Sequence, residues 1–409
     1  MRNLILCFLL LSSVNLVAQP GCTDPQATNY DEMATFNNGS CLYPFTEVEL
    51  DLVAELPASL DEASGITHTS NSGLWAHNDG GNENEIYEID SLTGAVNHTA
   101  LIIGDNVDWE DMAESDAHIF LGDFGNNPGN RIDLKIYRLN KSELGNNIMN
   151  TEVIEFTYSD QTDFSENWNN HDFDCEAFIY YNDSLHLFTK NWANNQTRHY
   201  VLPAEPGSHI AQLRETFDVD GLITGADVSV DGTIILLGYE NGGAFFNFFW
   251  LLFDYSEEHF FGGNRRRINL GTPLTNSQTE GIAFKNKYEG YVCSEQYDLA
   301  GGFDLPPKLL AFSIEEFLDN STSIDEVFAT SITVYPNPFT DALVISFSER
   351  LPESAECILV DALGNRVWSQ NQLLDQQIKL TGFGQLASGF YTLIVNTDEG
   401  TAYKKVVKH

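Results

Sequence analysis

Short apolar strands alternate with polar turns along most of the chain, and one pattern of two strands recurs. The copy at residues 108–127 opens with the acidic strand DWEDMAES, turns, continues in the apolar strand HIFLGDF and ends in polar residues. Further copies open at Ser64, Cys175, Gly225 and Glu280. Self-similarity every ~40–50 residues with several strands per unit is typical of a radially repeated β-sheet. The pattern predicts an all-β fold built around a β-propeller.

The number of blades follows from the strands that each copy supplies. The fifth copy offers one strand fewer than the others before the polar segment EEFLDNSTSIDE begins. A spare strand, residues 46–56, precedes the first copy, and pairing it with the incomplete blade would remove two exposed sheet edges. We therefore predict a five-bladed propeller over residues 45–318. A six-bladed propeller is the alternative, because the longest interval between copies has room for a degenerate blade around Glu155–Trp168.

The first 19 residues have the composition of a signal peptide. Arg2 supplies the positive start, LILCFLLLSSVNLVA the apolar core, and Ala18 a small residue for cleavage. No later stretch approaches ~20 apolar residues without charges. We therefore expect an exported protein with no transmembrane segment in its mature form.

A short cysteine-bracketed module is predicted at residues 20–44. Cys22 and Cys41 enclose a stretch too small to bury a core, and an exported protein meets oxidising conditions, so a stabilising disulfide is expected. A further hypothesis is a calcium ion bound by side-chain oxygens of the module, although their spacing is not that of an EF-hand loop. The candidate ligands are Asp24, Asn29, Asp31, Asn37 and Asn38. The pattern GCTDPxAxNYxxxAxxxxGSC resembles a module common in secreted proteins of Bacteroidetes, and this resemblance implies no particular ligand.

A separate β unit, residues 331–409, follows a polar linker at residues 319–330. Its motifs include YPNP, LVDALGNRVW, LASGFYTLIV and a basic end. They resemble the C-terminal sorting domain of the type IX secretion system (type A) of Bacteroidetes. The resemblance rests on Tyr335, Pro336, Asn337, Pro338, Gly364, Gly389, Lys404 and Lys405. It implies a small Ig-like β-sandwich, the type IX machinery as partner, and delivery to the outer-membrane surface or the medium.

The charge balance narrows the choice of partners. Sixty Asp and Glu residues stand against twenty Lys and Arg residues, which gives a formal net charge of −40. Phosphate contacts need clustered Lys and Arg, so the composition disfavours nucleic acid and anionic membrane surfaces. It suits a soluble protein in a salty medium, or one that collects cations.

Three acids occupy equivalent positions in different copies. Adjacent strands of a blade are antiparallel, so the start of the first strand and the end of the second lie on the same face. Glu110, Glu176 and Glu280 stand at the starts of first strands and are expected to converge at one mouth of the central channel. The ligand-binding candidates expected at the same mouth are His77, Asp79, Asp111, Asp123, Lys190, Glu240 and Glu295.

Carboxylates that converge in a channel must either share protons or hold a cation. Calcium is the favoured ion, because the candidate ligands are oxygens and the sequence has no Cys or His cluster at zinc spacing. Glu110, Glu176 and Glu280 are therefore the predicted metal ligands. The alternative is that these acids only cap strands, bind backbone amides and hold water.

The sequence favours an exported propeller that binds a cation and an extracellular polymer or protein at this mouth. A hydrolase is the alternative, because glycosidases need two carboxyl groups that flank a sugar bond, and Glu110, Glu176 and Glu280 are candidate catalytic residues. A calcium-assisted phosphoesterase of the phytase type is less favoured, because Lys190 is nearly the only cation expected near the mouth. No HExxH, GxSxG or glycine-rich phosphate motif is present.

Overall fold

The strands of this chain are seen in a computed structural model that describes residues 19–69, 73–242, 246–299, 303–318, 332–347, 354–361, 366–373, 377–397 and 400–409. The chain divides into two compact units, residues 1–315 and 316–409. Residues 1–18 of the predicted signal peptide, the predicted linker at 319–330 and Gly364 lie outside the described residues. No helix in the described part is long and apolar enough to cross a membrane.

The cysteine-bracketed module contains two short strands, β1 (Pro20–Gly21) and β2 (Phe36–Asn37), which pair in parallel. The predicted disulfide between Cys22 and Cys41 is present, with an S–S distance of 2.03 Å. The Asp24 and Asn29 oxygens accept hydrogen bonds inside the module, from the N–H groups of Gln26 and Leu42 respectively. These hydrogen bonds, together with the disulfide, stabilise the fold of the module itself.

Strand β3 (Asp51–Glu55) precedes the described four-stranded sets of the first unit. The first set contains β4 (Ala63–Thr69), β5 (Gly73–Asn78), β6 (Glu85–Ile89) and β7 (Val96–Ile102). The second contains β8 (Trp109–Glu114), β9 (His118–Asp123) and β10 (Lys135–Asn140), followed by the short β11 (Ile148–Met149) on the first set and by β12 (Thr151–Tyr158). The third contains β13 (Cys175–Tyr181), β14 (Ser184–Thr189), β15 (Gln196–Pro203) and β16 (Gly207–Asp218).

The fourth set contains β17 (Leu222–Val228), β18 (Ile234–Tyr239), β19 (Asn247–Phe253) and β20 (Asn264–Asn269). The last contains β21 (Gln278–Phe284), β22 (Glu289–Glu295), β25 (Lys308–Ser313) and β3, with a small hairpin of β23 (Tyr297–Leu299) and β24 (Phe303–Leu305) inserted. Two short helices precede and follow this last set in the sequence, α1 (Pro273–Asn276) and α2 (Glu315–Leu318). Three 3₁₀ turns lie at Ala58–Leu60, Lys141–Glu143 and Phe260–Gly262.

The first strands of these sets close into a ring. They pack side by side in chain order, β4, β8, β13, β17 and β21, and β21 packs in turn against β4. Glycine makes this close approach possible, because a Cβ on Gly281 would collide with the carbonyl oxygen of Ser64, and one on Gly225 with that of Glu280. The small residues that open the sequence repeats are therefore required by packing around the channel.

The spare N-terminal strand closes the last set as the sequence predicts. β3 pairs antiparallel with β25, with Asp51 opposite Ala311 and Glu55 opposite Lys308. For the six-bladed alternative, Glu155 belongs to β12, and the described residues 159–174 contain no strand that could form a separate sheet. One seam has an extra bond, because β12 pairs in parallel with β16 and joins the second and third sets into one sheet.

Removing the spare strand is expected to destabilise the propeller. Leu50 and Leu56, which flank β3, are 9% and 5% exposed, and burying each is worth about 1.5–3 kcal/mol. A protein that begins at Pro57 should therefore melt well below one that begins at Tyr43, or aggregate through the exposed edge of β25. Thermal unfolding followed by circular dichroism would compare the two, and equal melting temperatures would refute the stabilising role of β3.

The C-terminal unit consists of two sheets around one core. The first contains β26 (Ile332–Tyr335), β27 (Ala342–Phe347) and β30 (Gln377–Thr381). The second contains β28 (Ser354–Asp361), β29 (Arg366–Leu373), β31 (Gly389–Thr397) and β32 (Gly400–Lys408). Buried residues of both, among them Ile345 and Leu393, share the core, and Asn337 of the YPNP motif binds the backbone of Lys405 and Val407. The arrangement is the predicted β-sandwich.

Candidate functional site

The three predicted glutamates occupy the same local irregularity in their strands. The pairing of β8 with β9 shifts register between Trp109 and Asp111, and comparable shifts occur at Glu176 in β13 and at Glu280 in β21. A β-bulge of this kind re-aims one side chain and is common beside functional sites. The two other first strands also shift register at the corresponding place, where Ser64 and Thr224 stand. The repeat therefore puts a bulged residue of every described first strand at the mouth, and three of these residues are glutamates.

Among the residues that the structure describes, one of these glutamates, Glu110, belongs to a tight carboxylate cluster. Ligand oxygens of Asp79, Asp108 and Glu110 all lie within 4.8 Å of one another, with Glu110 buried and the two aspartates partly exposed. Asp79 follows β5, and Asp108 precedes β8, so the cluster joins two neighbouring blades. None of the three forms a salt bridge among the residues that the structure describes.

Glycines make room for this cluster. A Cβ on Gly125 would collide with carboxylate oxygens of both Glu110 and Asp108, and one on Gly80 would collide with Asp108. The Asp108 carbonyl accepts the N–H groups of Phe124 and Gly125 at 3.1 and 3.2 Å, which fixes the loop that carries the aspartate. The backbone is thus shaped around the carboxylates.

The other half of the mouth is occupied by a lysine. Lys190 is 5% exposed, and its ammonium contacts the carboxylate of Glu176. It also lies 5.0 Å from the ring centre of Trp192 and 5.3 Å from that of Tyr239, within cation–π range. Although burial opposes it, Glu176, Tyr239 and Glu280 raise the pKa of Lys190 above its usual range. This lysine is a built-in cation for Glu176 and Glu280.

Burial and mutual repulsion favour the protonated forms of the mouth acids. Burial raises the pKa of Asp79 to about 6, and burial together with Asp79 raises that of Asp108 to about 7. Burial, then Asp79, raises the pKa of Glu110 well above its usual range. Burial raises the pKa of Glu280 to about 7 and, with the help of Glu280, that of Glu295 to about 9. The mouth therefore holds more acidic groups than its own basic groups can neutralise, and some of these acids retain their protons near neutral pH.

Two predicted ligand residues are engaged inside the propeller. Asp111 is fully buried, and its carboxylate accepts the backbone N–H groups of Met112, Phe178 and Ala226 at 2.8, 3.0 and 3.3 Å. It ties together three neighbouring first strands. His77 is also fully buried, its Nδ1 lies 2.8 Å from the Asn78 carbonyl, and burial lowers its pKa to about 4. Both residues hold the wall of the channel.

Two further predicted residues are paired with basic side chains. Asp123 bonds Arg131 at 2.9 Å and lies 3.3 Å from the Lys135 ammonium. Glu240 bonds Arg267 of β20, the outer strand of its blade, at 2.8 Å. Neither is free to bind a ligand in this arrangement.

Sequence reasoning overlooked two acids of the mouth, Asp108 and Asp174. Asp174 is fully buried and accepts bonds from the Asn126 backbone at 2.6 Å and the Trp192 indole at 2.8 Å. The signal is a shared spacing, because each aspartate stands two residues before the bulged glutamate of its blade. At the equivalent position of the last blade, the Gln278 amide donates to Glu280 at 2.6 Å.

Three solved structures are similar to the chain, all with low sequence identity and a low TM-score. A calcium-binding protein, regucalcin, from Agrobacterium tumefaciens is 14% identical, with 66% of this chain and 94% of that chain covered and a TM-score of 0.35. A quinonprotein alcohol dehydrogenase-like protein from Bacteroides thetaiotaomicron is 12% identical, with 80% and 69% covered and a TM-score of 0.31. A GH43 β-1,3-galactosidase with galactodeoxynojirimycin is 9% identical, with 75% and 95% covered and a TM-score of 0.32. At such scores the similarity carries no argument about ligand or activity.

Among curated proteins, none matches this chain at a significant level. The C-terminal unit is different, because residues 333–409 match a family described as the secretion system C-terminal sorting domain. The matched range includes the YPNP motif, Gly389 and the two terminal lysines on which the sequence resemblance rests. The chain therefore carries a C-terminal sorting domain of the type IX secretion system, which indicates export.

Proposed function

We propose that the exported propeller binds a divalent cation, with calcium favoured, at Asp79, Asp108 and Glu110. The observation that supports this is the 4.8 Å cluster of three carboxylates with no salt-bridge partner among the described residues. Two full negative charges 4.8 Å apart repel by about 3–4 kcal/mol at an effective dielectric constant near 20. A cation among them offsets that repulsion while the carboxylates stay ionised. Protons offset it only by neutralising the carboxylates.

The donor set fits calcium better than a transition metal. All three side chains offer carboxylate oxygens, the hard ligands that calcium prefers, and no Cys or His ligand atom joins the described cluster. Asp79 and Asp108 are partly exposed, so an ion has access from solvent. Calcium takes more oxygens than three residues supply, and hydroxyl or carboxylate groups of a bound polymer or protein would complete its coordination. The bound ion would thus link the propeller to an extracellular partner.

The predicted trio of metal ligands is revised in this proposal. Glu110 is kept, while Glu176 contacts the ammonium of Lys190 and Glu280 lies within its electrostatic influence, so that Lys190 already provides both with positive charge. Like charges repel, so a second cation is disfavoured in that half of the mouth. Asp79, expected only as a ligand-binding residue, and Asp108 take their places.

Calcium should stabilise the folded protein through this cluster. At a hundredfold excess over the dissociation constant, one site adds about 2.7 kcal/mol, or about 5–10 °C in melting temperature for a domain of this size. We expect Asp108→Asn to abolish most of that increase. Differential scanning fluorimetry with millimolar calcium, compared with chelator, measures both quantities.

Glu240→Gln is the matched control, since it removes one carboxylate charge from a blade end that lies away from the cluster. Its melting temperature should rise with calcium as in the parent protein. If calcium leaves the parent unchanged, or if both variants respond equally, the cluster is not the ion site. Because the short N-terminal module is intact in all three proteins, an ion bound there would raise their melting temperatures equally.

A hydrolase that uses the same mouth is the second candidate. It is favoured by two neighbouring acids in different surroundings: burial raises the pKa of Glu280 to about 7, and burial raises that of Glu176 well above its usual range although contact with Lys190 opposes it. Acids whose surroundings differ in this way can serve as general acid and base. Release of nitrophenol from aryl glycosides tests the hydrolase hypothesis. The hypothesis holds only if Glu176→Gln and Glu280→Gln each abolish an activity that Glu240→Gln retains.

A further inference from the structure

A second cavity system opens on the face opposite the acidic mouth. Glu110 lies near the start of β8 and Glu114 at its end, four residues or about 13 Å further along the strand. A cavity of about 280 Å³ lies where the first strands end, and its lining includes Thr67, Tyr180 and Phe284 from different blades. It is thus the other end of the central channel.

This channel end continues outward into a larger cavity. The larger one, of about 760 Å³, lies between the second and third blades and extends to the β15–β16 turn at Glu205. Glu114, Asp116 and Tyr180 line both cavities. We call the two together the lower groove. Its size falls within the range of pockets that enclose ligands of several residues or of drug size, ~300–1,000 Å³.

The walls of the lower groove are held in place before any ligand arrives. The β12–β16 pairing joins the two blades that form its sides. Tyr180 stacks on Phe120 with ring centres 5.4 Å apart and planes at 11°, and its hydroxyl donates to Asp183 at 2.8 Å. Tyr180 is half-buried, so the ring face that Phe120 does not cover borders the groove. A fixed aromatic face of this kind is a ready platform for a planar or cationic group.

The charge of the larger cavity of the groove selects the sign of its ligand. Carboxylates of Glu114, Asp116, Asp183 and Glu205 line the larger cavity, whereas its one arginine, Arg138, is already bound to Glu152 and Glu205 at 2.7 and 3.0 Å. Glu114 is paired with Lys141. Asp116 is exposed and has no salt bridge or side-chain hydrogen bond among the described residues. A free carboxylate therefore stands beside the aromatic platform.

We propose that the lower groove binds an extended basic peptide segment, with an arginine or lysine side chain placed over Tyr180 and paired with Asp116. A guanidinium or ammonium gains both a cation–π contact and a charge-assisted hydrogen bond in that position. The channel end gives room for the residues that continue from it. The net charge of −40 draws such a segment toward the protein, and the groove adds a specific pairing of ring and carboxylate. The proposal does not depend on the cation cluster at the mouth.

Fluorescence anisotropy of a labelled peptide of alternating Arg and Ser, titrated with the full-length protein at physiological salt, tests the proposal. We expect Asp116→Asn and Tyr180→Leu each to weaken binding about tenfold, as loss of a charge-assisted pair or a cation–π contact implies. Asp231→Asn is the control, because Asp231 lies on the same face, pairs with Lys287 at 3.4 Å and lines neither cavity. It should change the affinity less than twofold.

Equal losses in Asp116→Asn and Asp231→Asn would show diffuse charge attraction and overturn the proposal, as would an absence of binding. Spermine that competes as well per charge as the peptide would reassign the groove to free polyamines. Asp116 is exposed, so its variant should fold like the parent protein even if Tyr180→Leu does not.

Discussion

Replacing Asp111 by alanine is expected to lower the free energy of unfolding by at least about 3 kcal/mol, although the neighbouring Glu110→Gln should cost almost nothing. The Asp111 carboxylate accepts three backbone N–H groups, from β8 itself and from the first strands of the next two blades. Each buried donor left without a partner costs about 1–3 kcal/mol. Burial raises the pKa of Asp111 well above its usual range, and the hydrogen bonds from these three donors act in the opposite direction, because they favour the ionised form. Urea unfolding followed by tryptophan fluorescence measures the difference.

The comparison with Glu110 separates two uses of a buried acid. Glu110 lies among carboxylates that repel it, so removing its charge should leave the calcium-free protein as stable as the parent or slightly more stable. Asp111→Asn provides an intermediate case, since the amide keeps one acceptor oxygen but turns an N–H₂ group toward a backbone donor. An Asp111→Ala protein as stable as the parent would mean that these backbone bonds contribute nothing net. A large loss in Glu110→Gln without calcium would mean that Glu110, too, is a structural acid.

The sequence repeat was the main basis for predicting the fold and the positions of the mouth glutamates. Aligned copies placed Glu110, Glu176 and Glu280 at the mouth because every described first strand has its register shift at the same position, where the small residues of the repeat allow close packing. The spare strand could be assigned because an open ring leaves two unpaired edges. Both conclusions rest on backbone geometry, which repeats with the sequence.

Side-chain direction was harder to predict where the strands end. Tyr239 closes β18 and faces Lys190, so Glu240, one residue later, points to the other side and meets Arg267 on the outer strand. A one-residue step reverses the face of a strand, and no pattern marks where the alternation stops. Asp108 escaped prediction because it lies in a loop whose path depends on bonds to Phe124 and Gly125.

Without calcium, the protein should lose stability as the pH rises from 6.5 to 8.5. In the folded state burial raises the pKa of Asp108 and of Glu280 to about 7 and that of Glu295 to about 9, far above the values of an unfolded chain, near 4. The folded protein therefore keeps protons that the unfolded chain has already released. Stability that is fully present below pH ~4 is lost as the pH passes these folded values.

Above pH 6.5 the pH dependence of stability comes from the carboxyl groups and no longer from the histidines. Burial lowers the pKa of His77 to about 4 and that of His186 to about 3, so these histidines make stability rise with pH, but only up to the ordinary histidine value near 6.5. Above it, each proton that the folded state alone retains costs about 1.4 kcal/mol per pH unit. We expect a decrease of about 5–10 °C in melting temperature over the two units.

Calcium should reverse this trend, because it replaces protons at Asp79, Asp108 and Glu110 and binds more tightly as they ionise. Its stabilising effect should accordingly grow from pH 6.5 to 8.5, and the calcium-loaded protein should lose less stability with pH than the calcium-free protein. Asp108→Asn removes one of the titrating groups and one ligand together, so it should reduce both the pH slope and the calcium response, whereas Glu240→Gln should preserve them. A calcium response that stays constant over this range would mean that the ion binds elsewhere, since only a site that exchanges protons for calcium links the two titrations.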